Sequence, residues 1–215
     1  DPGLARGHYN IATANLHLRR LAQAIASFER ALEIDPLMME AWNNLGNTYK
    51  ELGRFEEAVD AYRRALIVTP SGSIYHNLGS TFLAACRYDS ASNYFDKALR
   101  QQRQTESDGA GRETYIGLAR SLRRGQRLPE SVQTLTKALQ DYPLDVGLLE
   151  LLAQTQAALG QHGQALATYG RTGKPMAEIH LRLGQVALRR ADSKLAERHF
   201  EQGLLTNPDD PRLHN

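Results

Sequence analysis

Residues 41–70 read AWNNLGNTYKELGRFEEAVDAYRRALIVTP, and this stretch decides the fold. Large apolar residues recur at helical spacing in both of its halves, so each half forms an apolar stripe along one helix face. Small residues such as Gly46 and Ala58 lie where two helices cross closely and a larger side chain would clash. Pro70 cannot continue a helix interior, so it marks the boundary before the next unit. The stretch therefore predicts a packed pair of helices closed by a proline.

The same frame recurs along the chain, which is best seen at the residue before each Leu/Ile-small pair. These marker residues are Asn10, Asn44, Asn77, Gly117, Leu151 and Arg182. Their spacing is 34, 33, 40, 34 and 31 residues. Because six units in phase do not arise by chance, the chain is an internal repeat.

In residues 41–70 the pattern is W-x2-L-G-x2-Y-x8-A-x3-Y-x2-A-x4-P, which resembles the tetratricopeptide repeat. The resemblance implies an all-α fold, a right-handed α-solenoid or superhelix of six helix–turn–helix units with about 12 helices. The first helix of each unit would line the concave side. We expect a single solenoid domain over residues 1–215, with units of approximately 5–38, 39–71, 72–111, 112–145, 146–176 and 177–210.

Two units depart from the regular spacing. The 40-residue step contains 101–112, QQRQTESDGAGR, which predicts a helix extension followed by a mobile loop. The 31-residue step contains Gly170, Gly173 and Pro175, which should end the outer helix of the fifth unit early.

Composition limits the class of protein. The chain has 215 residues, 41% of them hydrophobic, with 26 Lys plus Arg against 24 Asp plus Glu. This near balance disfavours general nucleic-acid binding. No stretch approaches the roughly 20 consecutive apolar residues of a membrane helix. The sequence does not distinguish between a location in the cytoplasm, the periplasm or an organelle. Neither end has a dedicated polar capping helix, so we expect a piece of a longer protein.

The sequence predicts no catalytic residue, no metal site and no cofactor. The seven histidines are scattered over the repeats, and none pairs with another at H-x3-H or HExxH spacing. They are interpreted as packed or solvated side chains. The single cysteine, Cys86, falls in the turn of the third unit and has only Arg87 beside it to lower its pKa, so it is interpreted as a small structural residue.

Asparagines provide the first candidate binding surface. Asn10, Asn44 and Asn77 occupy the same place in three successive units, and Asn43 and Asn47 flank them. Amides in a column can donate and accept hydrogen bonds along an extended peptide backbone. The column is similar to the asparagine ladder in the repeat arm of O-GlcNAc transferases, which implies peptide binding in the groove. The alternative is that these amides are solvated or bonded between repeats.

Arginines provide the second candidate surface. Arg120, Arg123 and Arg124 share one helix face, and Arg182 and Arg189 would join them two units later. Because guanidinium groups match carboxylates, an acidic peptide is the partner that this pattern favours. A solvated charge cluster is the alternative. The cluster lacks the interleaved aromatic residues of single-stranded nucleic-acid sites.

Three functional hypotheses follow from the sequence. The first is a non-catalytic scaffold that binds a peptide segment of a partner protein in the concave groove. The second is the substrate-presenting arm of a larger enzyme such as a glycosyltransferase. The third is a scaffold that associates with copies of itself through open repeat ends.

Overall fold

The computed structural model describes residues 2–105, 111–208 and 212. Within those residues it contains twelve α-helices and no β-strand, which confirms the predicted all-α repeat class. The helices are α1 (Pro2–His17), α2 (Leu21–Ile34), α3 (Met39–Glu51), α4 (Phe55–Val68), α5 (Gly72–Ala84), α6 (Tyr88–Thr105), α7 (Gly111–Arg124), α8 (Leu128–Asp141), α9 (Val146–Ala158), α10 (His162–Gly170), α11 (Met176–Arg189) and α12 (Ser193–Thr206).

Each predicted repeat contains one helix pair. Consecutive helices α1–α2, α3–α4, α5–α6, α9–α10 and α11–α12 pack against each other. In the remaining pair, the Ser131 hydroxyl of α8 donates a hydrogen bond of 2.9 Å to the Ala119 carbonyl of α7. None of the described helices combines the length and apolar character that a membrane crossing requires.

The chain divides into two compact units, Asp1–Gly117 and Leu118–Asn215. We call them the N-terminal unit and the C-terminal unit. The division falls within α7, whose first half belongs to the N-terminal unit and whose second half belongs to the C-terminal unit. A single solenoid domain over the whole chain stays a prediction.

Close helix crossings explain the glycines of the first helices. A Cβ atom on Gly46 would lie 2.7 Å from the ring of Tyr62, which is fully buried on α4. A Cβ atom on Gly79 would lie 2.8 Å from the buried ring of Phe95. Atoms do not approach this closely without displacement, so the first helix needs glycine where the aromatic ring of the second helix packs.

All six turns within the repeats use one backbone shape. The middle residue of each three-residue turn has a positive φ, at Arg19, Gly53, Cys86, Gln126, Gly160 and Ala191. The turn residue after it donates a backbone hydrogen bond to a carbonyl five residues earlier, as from Arg54 to Tyr49 at 2.9 Å. This is the glycine-type helix end, although only two of the six positions carry glycine.

The two predicted irregularities are visible as helix lengths. α6 has 18 residues and continues through Thr105, which confirms the helix extension. The predicted mobile loop after it falls largely at 106–110, outside the described residues. α10 has nine residues and ends at Gly170, which confirms the early end of the fifth outer helix.

The single tryptophan, Trp42, packs at the second repeat. Its indole Nε1 donates a hydrogen bond of 2.9 Å to the Pro36 carbonyl. The Arg64 guanidinium lies 5.0 Å from the centre of its ring. Trp42 also lines a pocket of about 520 Å³ together with residues of α2 and α4, among them Leu32 and Ala61. The indole is therefore held by the segment that follows α2 and by Arg64 of α4.

Candidate functional site

The asparagines of the N-terminal unit hydrogen-bond between neighbouring repeats. Asn44 Nδ2 donates to the Tyr9 hydroxyl at 3.0 Å, across α3 and α1. Asn77 Nδ2 donates to Asn43 Oδ1 at 3.0 Å, across α5 and α3. The third ladder residue, Asn10, is exposed. These contacts agree with the alternative interpretation, in which the amides bond one repeat to the next.

The flanking asparagines are also engaged within the protein. Asn43 Nδ2 lies 3.5 Å from Asn44 Oδ1, at the outer limit of a hydrogen bond. Asn47 Oδ1 accepts a hydrogen bond of 2.7 Å from the hydroxyl of buried Tyr62. Each amide keeps further donor or acceptor positions. Peptide binding by this surface therefore stays a prediction, with part of its hydrogen-bonding capacity already used.

A basic residue of the N-terminal unit was missed at the sequence level. Lys50 Nζ lies 3.3 Å from the Ser80 hydroxyl, and burial lowers the pKa of Lys50. The pKa of nearby His76 is also lowered, chiefly by burial and then by the Lys50 charge. Lys50 stands six residues after its repeat marker, the place that Arg123 occupies in the fourth repeat. Comparison by repeat position could have found it.

Four of the five predicted arginines come together in the C-terminal unit. Arg123 Nη1 donates to Gln154 Oε1 of α9 at 3.1 Å. Burial lowers the pKa of Arg123, and the positive charges of Arg120, Arg124 and Arg189 lower it further. We call these four residues the arginine cluster. Like charges gathered on α7 and α11 favour an anion between them.

Within the part of the chain that the structure describes, the arginine cluster forms no ion pair. Among the described residues, no carboxylate lies within 4.0 Å of Arg120, Arg124 or Arg189. Other surface arginines are paired one helical turn away, as Arg127 is with Glu130 at 2.5 Å. The charges of Arg120, Arg124 and Arg189 are therefore available to an external group.

The fifth predicted arginine has a different environment. Arg182 contacts Glu178 at 2.9 Å and Glu150 at 3.5 Å. Lys174 contacts the same two carboxylates, at 2.9 and 3.1 Å. Hydrogen bonds from Lys174 and then Arg182 lower the pKa of Glu178. Two cations and two anions cancel locally, so Arg182 does not extend the arginine cluster as an unpaired charge.

A small pocket opens between the arginine cluster and this ion-pair group. It has a volume of about 200 Å³. The lining residues are Gln154, Tyr169, Arg182, Gln185, Val186 and Arg189. The Tyr169 hydroxyl is buried near Gln154 and Arg182 but makes no hydrogen bond of good geometry among the described residues. Amide, hydroxyl and guanidinium donors thus surround a space that suits a carboxylate-sized group.

Three histidines of the last two repeats come close to one another, which their spacing in the sequence does not indicate. His180 Nδ1 of α11 and His199 Nδ1 of α12 are 3.1 Å apart. The ring of His162, the first residue of α10, lies 6.3 Å from that of His199 between centroids. Their separation in sequence, across three helices, hides this meeting from any local motif.

Among the metal-ligating and nucleophilic side chains of the described residues, no group of three or more His, Cys, Asp or Glu could hold a metal ion. Cys86 is exposed at a turn with a φ of 57°.

Family models agree with the repeat architecture. Models described as tetratricopeptide repeat match residues 5–36 and 40–71, residues 71–143, and residues 116–173. Together they cover most of the chain, and the described helices have the pairing that the repeat requires. The chain therefore belongs to the tetratricopeptide repeat family.

Relatives share parts of the repeat array. A 63-residue stretch, 29% of the chain, is 35% identical to Superkiller protein 3 of Schizosaccharomyces pombe (strain 972 / ATCC 24843) and covers 4% of that protein. A 134-residue stretch, 56% of the chain, is 25% identical to the BBSome complex member BBS4 homolog of Drosophila melanogaster and covers 26% of it. The chain thus spans at most about a quarter of the length of these two curated relatives.

Solved structures with the same fold span the chain more fully. MamA superposes with a TM-score of 0.69 at 14% identity, covering 87% of this chain and 93% of that one. PilW, described as a widely conserved type IV pilus biogenesis factor, gives 0.65 at 22% identity, covering 98% and 97%. YrrB, described as a TPR protein with an unusual peptide-binding site, gives 0.64 at 18% identity, covering 87% and 95%. At these identities the likeness establishes the fold alone.

Proposed function

We propose that the chain is a non-catalytic protein-binding scaffold whose C-terminal unit binds an acidic segment of a partner protein. Proteins of the tetratricopeptide repeat family generally bind protein partners. The acidic segment would lie against the arginine cluster, with one carboxylate in the pocket beside Arg189. Tyr169, Gln154 and Gln185 would supply neutral donors around that carboxylate.

The observation that carries this proposal is a set of gathered cations that form no ion pair with any described carboxylate. Burial lowers the pKa of Arg123 most, and the charges of Arg120, Arg124 and Arg189 lower it further, so gathering these cations raises the electrostatic energy of the free protein. An external carboxylate would relieve that repulsion and form charge-assisted hydrogen bonds. Glu150 and Glu178, which pair with Arg182, would lie at the border of the site. Their negative charges would repel a carboxylate placed next to them.

Protein is the class of partner that the charge pattern favours. The chain as a whole carries a formal charge of only +2, so it lacks the basic excess of a general nucleic-acid binder. The lining of the pocket contains one aromatic residue, Tyr169, and its ring is buried in the core. Bases would find no exposed ring there on which to stack.

Affinity capture from a cell extract with identification by mass spectrometry tests the proposal. The baits are the wild-type chain, Arg120→Glu with Arg124→Glu, and Asn44→Ala with Asn77→Ala. We expect the wild type to hold a partner that the arginine double variant loses. A synthetic peptide from the partner's most acidic segment should then bind the wild-type chain directly.

The matched control is Arg20→Glu with Arg63→Glu, which changes the net charge equally at exposed positions of the N-terminal unit. If the control loses the partner as fully as the Arg120/Arg124 variant, net charge rather than the cluster decides binding. If only the Asn44/Asn77 variant loses it, binding belongs to the asparagines. Capture of the chain's own untagged copy by the wild type alone would favour the self-associating scaffold instead.

A further inference from the structure

We propose that His180 and His199 form a two-histidine chelate for a divalent transition-metal ion, with His162 as the hydrogen-bond partner of His199. The site lies within the C-terminal unit, on α10, α11 and α12. It does not rest on the proposed protein-binding function. The ligand class is a borderline cation such as Cu²⁺, Ni²⁺ or Zn²⁺, because imidazole nitrogens suit these ions.

The distance between the two ring nitrogens fits shared coordination. His180 Nδ1 and His199 Nδ1 are 3.1 Å apart and face each other. An ion about 2.05 Å from each nitrogen would have an N–metal–N angle of about 100°. That angle lies between the roughly 90° of an octahedral site and the roughly 110° of a tetrahedral one. The ring centroids are 5.4 Å apart, so the two lone pairs point at each other along the line between the nitrogens. Each ring must therefore tilt by about 40° for both lone pairs to reach one ion.

Without an ion, the pair forms a hydrogen bond in which one Nδ1 must carry a proton. When an ion binds, that proton moves through solvent to Nε2 of the same ring, and both Nδ1 lone pairs become ligands. The change is a tautomer shift, so a neutral pair releases no proton. Both Nε2 atoms are then hydrogen-bond donors.

Two buried nitrogens, one on His199 and one on the neighbouring His162, fit the metal-bound state. His199 Nε2 and His162 Nδ1 are both buried and have no hydrogen-bond partner among the described residues. A metal-bound histidine usually donates its other N–H to an acceptor, which fixes its orientation. The His162 and His199 ring centroids are 6.3 Å apart, whereas a direct ring-to-ring hydrogen bond needs about 5 Å. One water or a closure of about 1 Å would join them.

The ligand count sets the expected strength. Three or more protein ligands do not converge here among the described residues, so water must complete the coordination sphere. His180 is 8% exposed and His199 is half-buried, so His199 is the more accessible of the two ligands. We expect one ion per chain, Cu²⁺ bound more tightly than Zn²⁺.

Calorimetric titration of the tag-free chain with CuCl₂ and ZnCl₂ near neutral pH tests the site. His199→Gln should weaken Cu²⁺ binding at least tenfold, and His180→Gln should do the same if circular dichroism shows that it folds. Electron paramagnetic resonance of the Cu²⁺ complex should show two coordinated imidazole nitrogens in the wild type and one in His199→Gln. His162→Gln should weaken binding about tenfold while keeping both nitrogens.

His17→Gln is the matched control, because His17 is an exposed histidine at the end of α1. It should bind Cu²⁺ as the wild type does. The proposal is overturned if the wild type binds neither Cu²⁺ nor Zn²⁺. It is also overturned if His199→Gln binds Cu²⁺ as tightly as the wild type, or if His17→Gln abolishes binding. Unchanged binding by His162→Gln would overturn the role given to that residue.

Discussion

A left-handed residue ends the first helix of every repeat, and four of those six residues are not glycine. Arg19, Cys86, Gln126 and Ala191 have φ values between 57° and 62°. A side chain in this region crowds the following carbonyl and costs about 1 kcal/mol relative to glycine. The turns therefore hold a small reserve of strain that substitution can remove.

Ala191→Gly should raise the free energy of unfolding by about 1 kcal/mol, because it relieves this crowding without removing a contact-forming side chain. Gly53→Ala should lower it by a similar amount, since φ at Gly53 is 72° and its surroundings are open within 4 Å. Urea unfolding followed by circular dichroism measures both. If Ala191→Gly and Gly53→Ala had the same free energy of unfolding, the positive φ would not be the source of the strain.

His76 makes stability depend on pH. Its pKa is lowered by burial and the Lys50 charge, and its Nδ1 lies 3.0 Å from the Thr114 hydroxyl. The unfolded chain keeps an ordinary histidine pKa of about 6.5, so below that pH it binds more protons than the folded chain. Stability should therefore fall as pH falls below about 6.5.

Comparison of wild type and His76→Gln by urea unfolding at pH 7.5 and 5.5 isolates this contribution. Glutamine can still hydrogen-bond to Thr114 but does not titrate. The loss of stability between the two pH values should be smaller in the variant. A loss equal to that of wild type would show that His76 contributes nothing to the pH dependence.

Helix pairs are the elements in which the sequence was most informative. Large residues, small residues and prolines at fixed spacing predict where each pair begins and ends, and the short α10 and long α6 were also predictable from Gly170 and residues 101–105. Local spacing carries this information because each crossing involves neighbours such as Gly46 and Tyr62 in one repeat.

Contacts between elements were less predictable. The hydrogen bond from Asn77 to Asn43 depends on the axial register of α5 against α3. The approach of His180 to His199 depends on the rotation of α11 relative to α12. Repeat position suggested a group of arginines but could not show that Glu150 and Glu178 neutralise Arg182. Pairing of side chains between helices depends on rotamers that spacing does not specify.

Gly46→Ala should destabilise the helix pair of α3 and α4 by about 1–3 kcal/mol, since its Cβ would lie 2.7 Å from the Tyr62 ring. Gly7→Ala, in α1, is the control because nothing lies within 4 Å of the added atom. The control should be neutral or more stable by up to about 1 kcal/mol through helix propensity. Urea midpoints measure both, and a stable Gly46→Ala would contradict the close crossing.

Across the whole molecule, charge is nearly balanced but unevenly distributed. The formal net charge is +2, yet the C-terminal unit gathers four guanidinium groups that pair with no carboxylate of the described residues. Attraction of an acidic partner should therefore be local and screened by salt. It should not depend on the net charge of the chain.

The affinity of the partner's acidic peptide should fall at least tenfold between about 0.1 M and 1 M NaCl, as the screening length shrinks from about 10 Å to about 3 Å. In Arg120→Glu with Arg124→Glu, binding should be weak at both concentrations. Fluorescence anisotropy of a labelled peptide gives both values. Salt-independent binding to the wild type would contradict a charge-driven site.

Trp42 makes the second repeat optically distinct. It is the only tryptophan in the chain, and its surroundings include Leu32 of α2, Pro36 after α2 and Arg64 of α4. Indole emission therefore reports the melting of that neighbourhood, whereas far-ultraviolet ellipticity averages over all helices. Comparing the two signals in one denaturant titration would show whether the repeats unfold together or in sequence, without an added label.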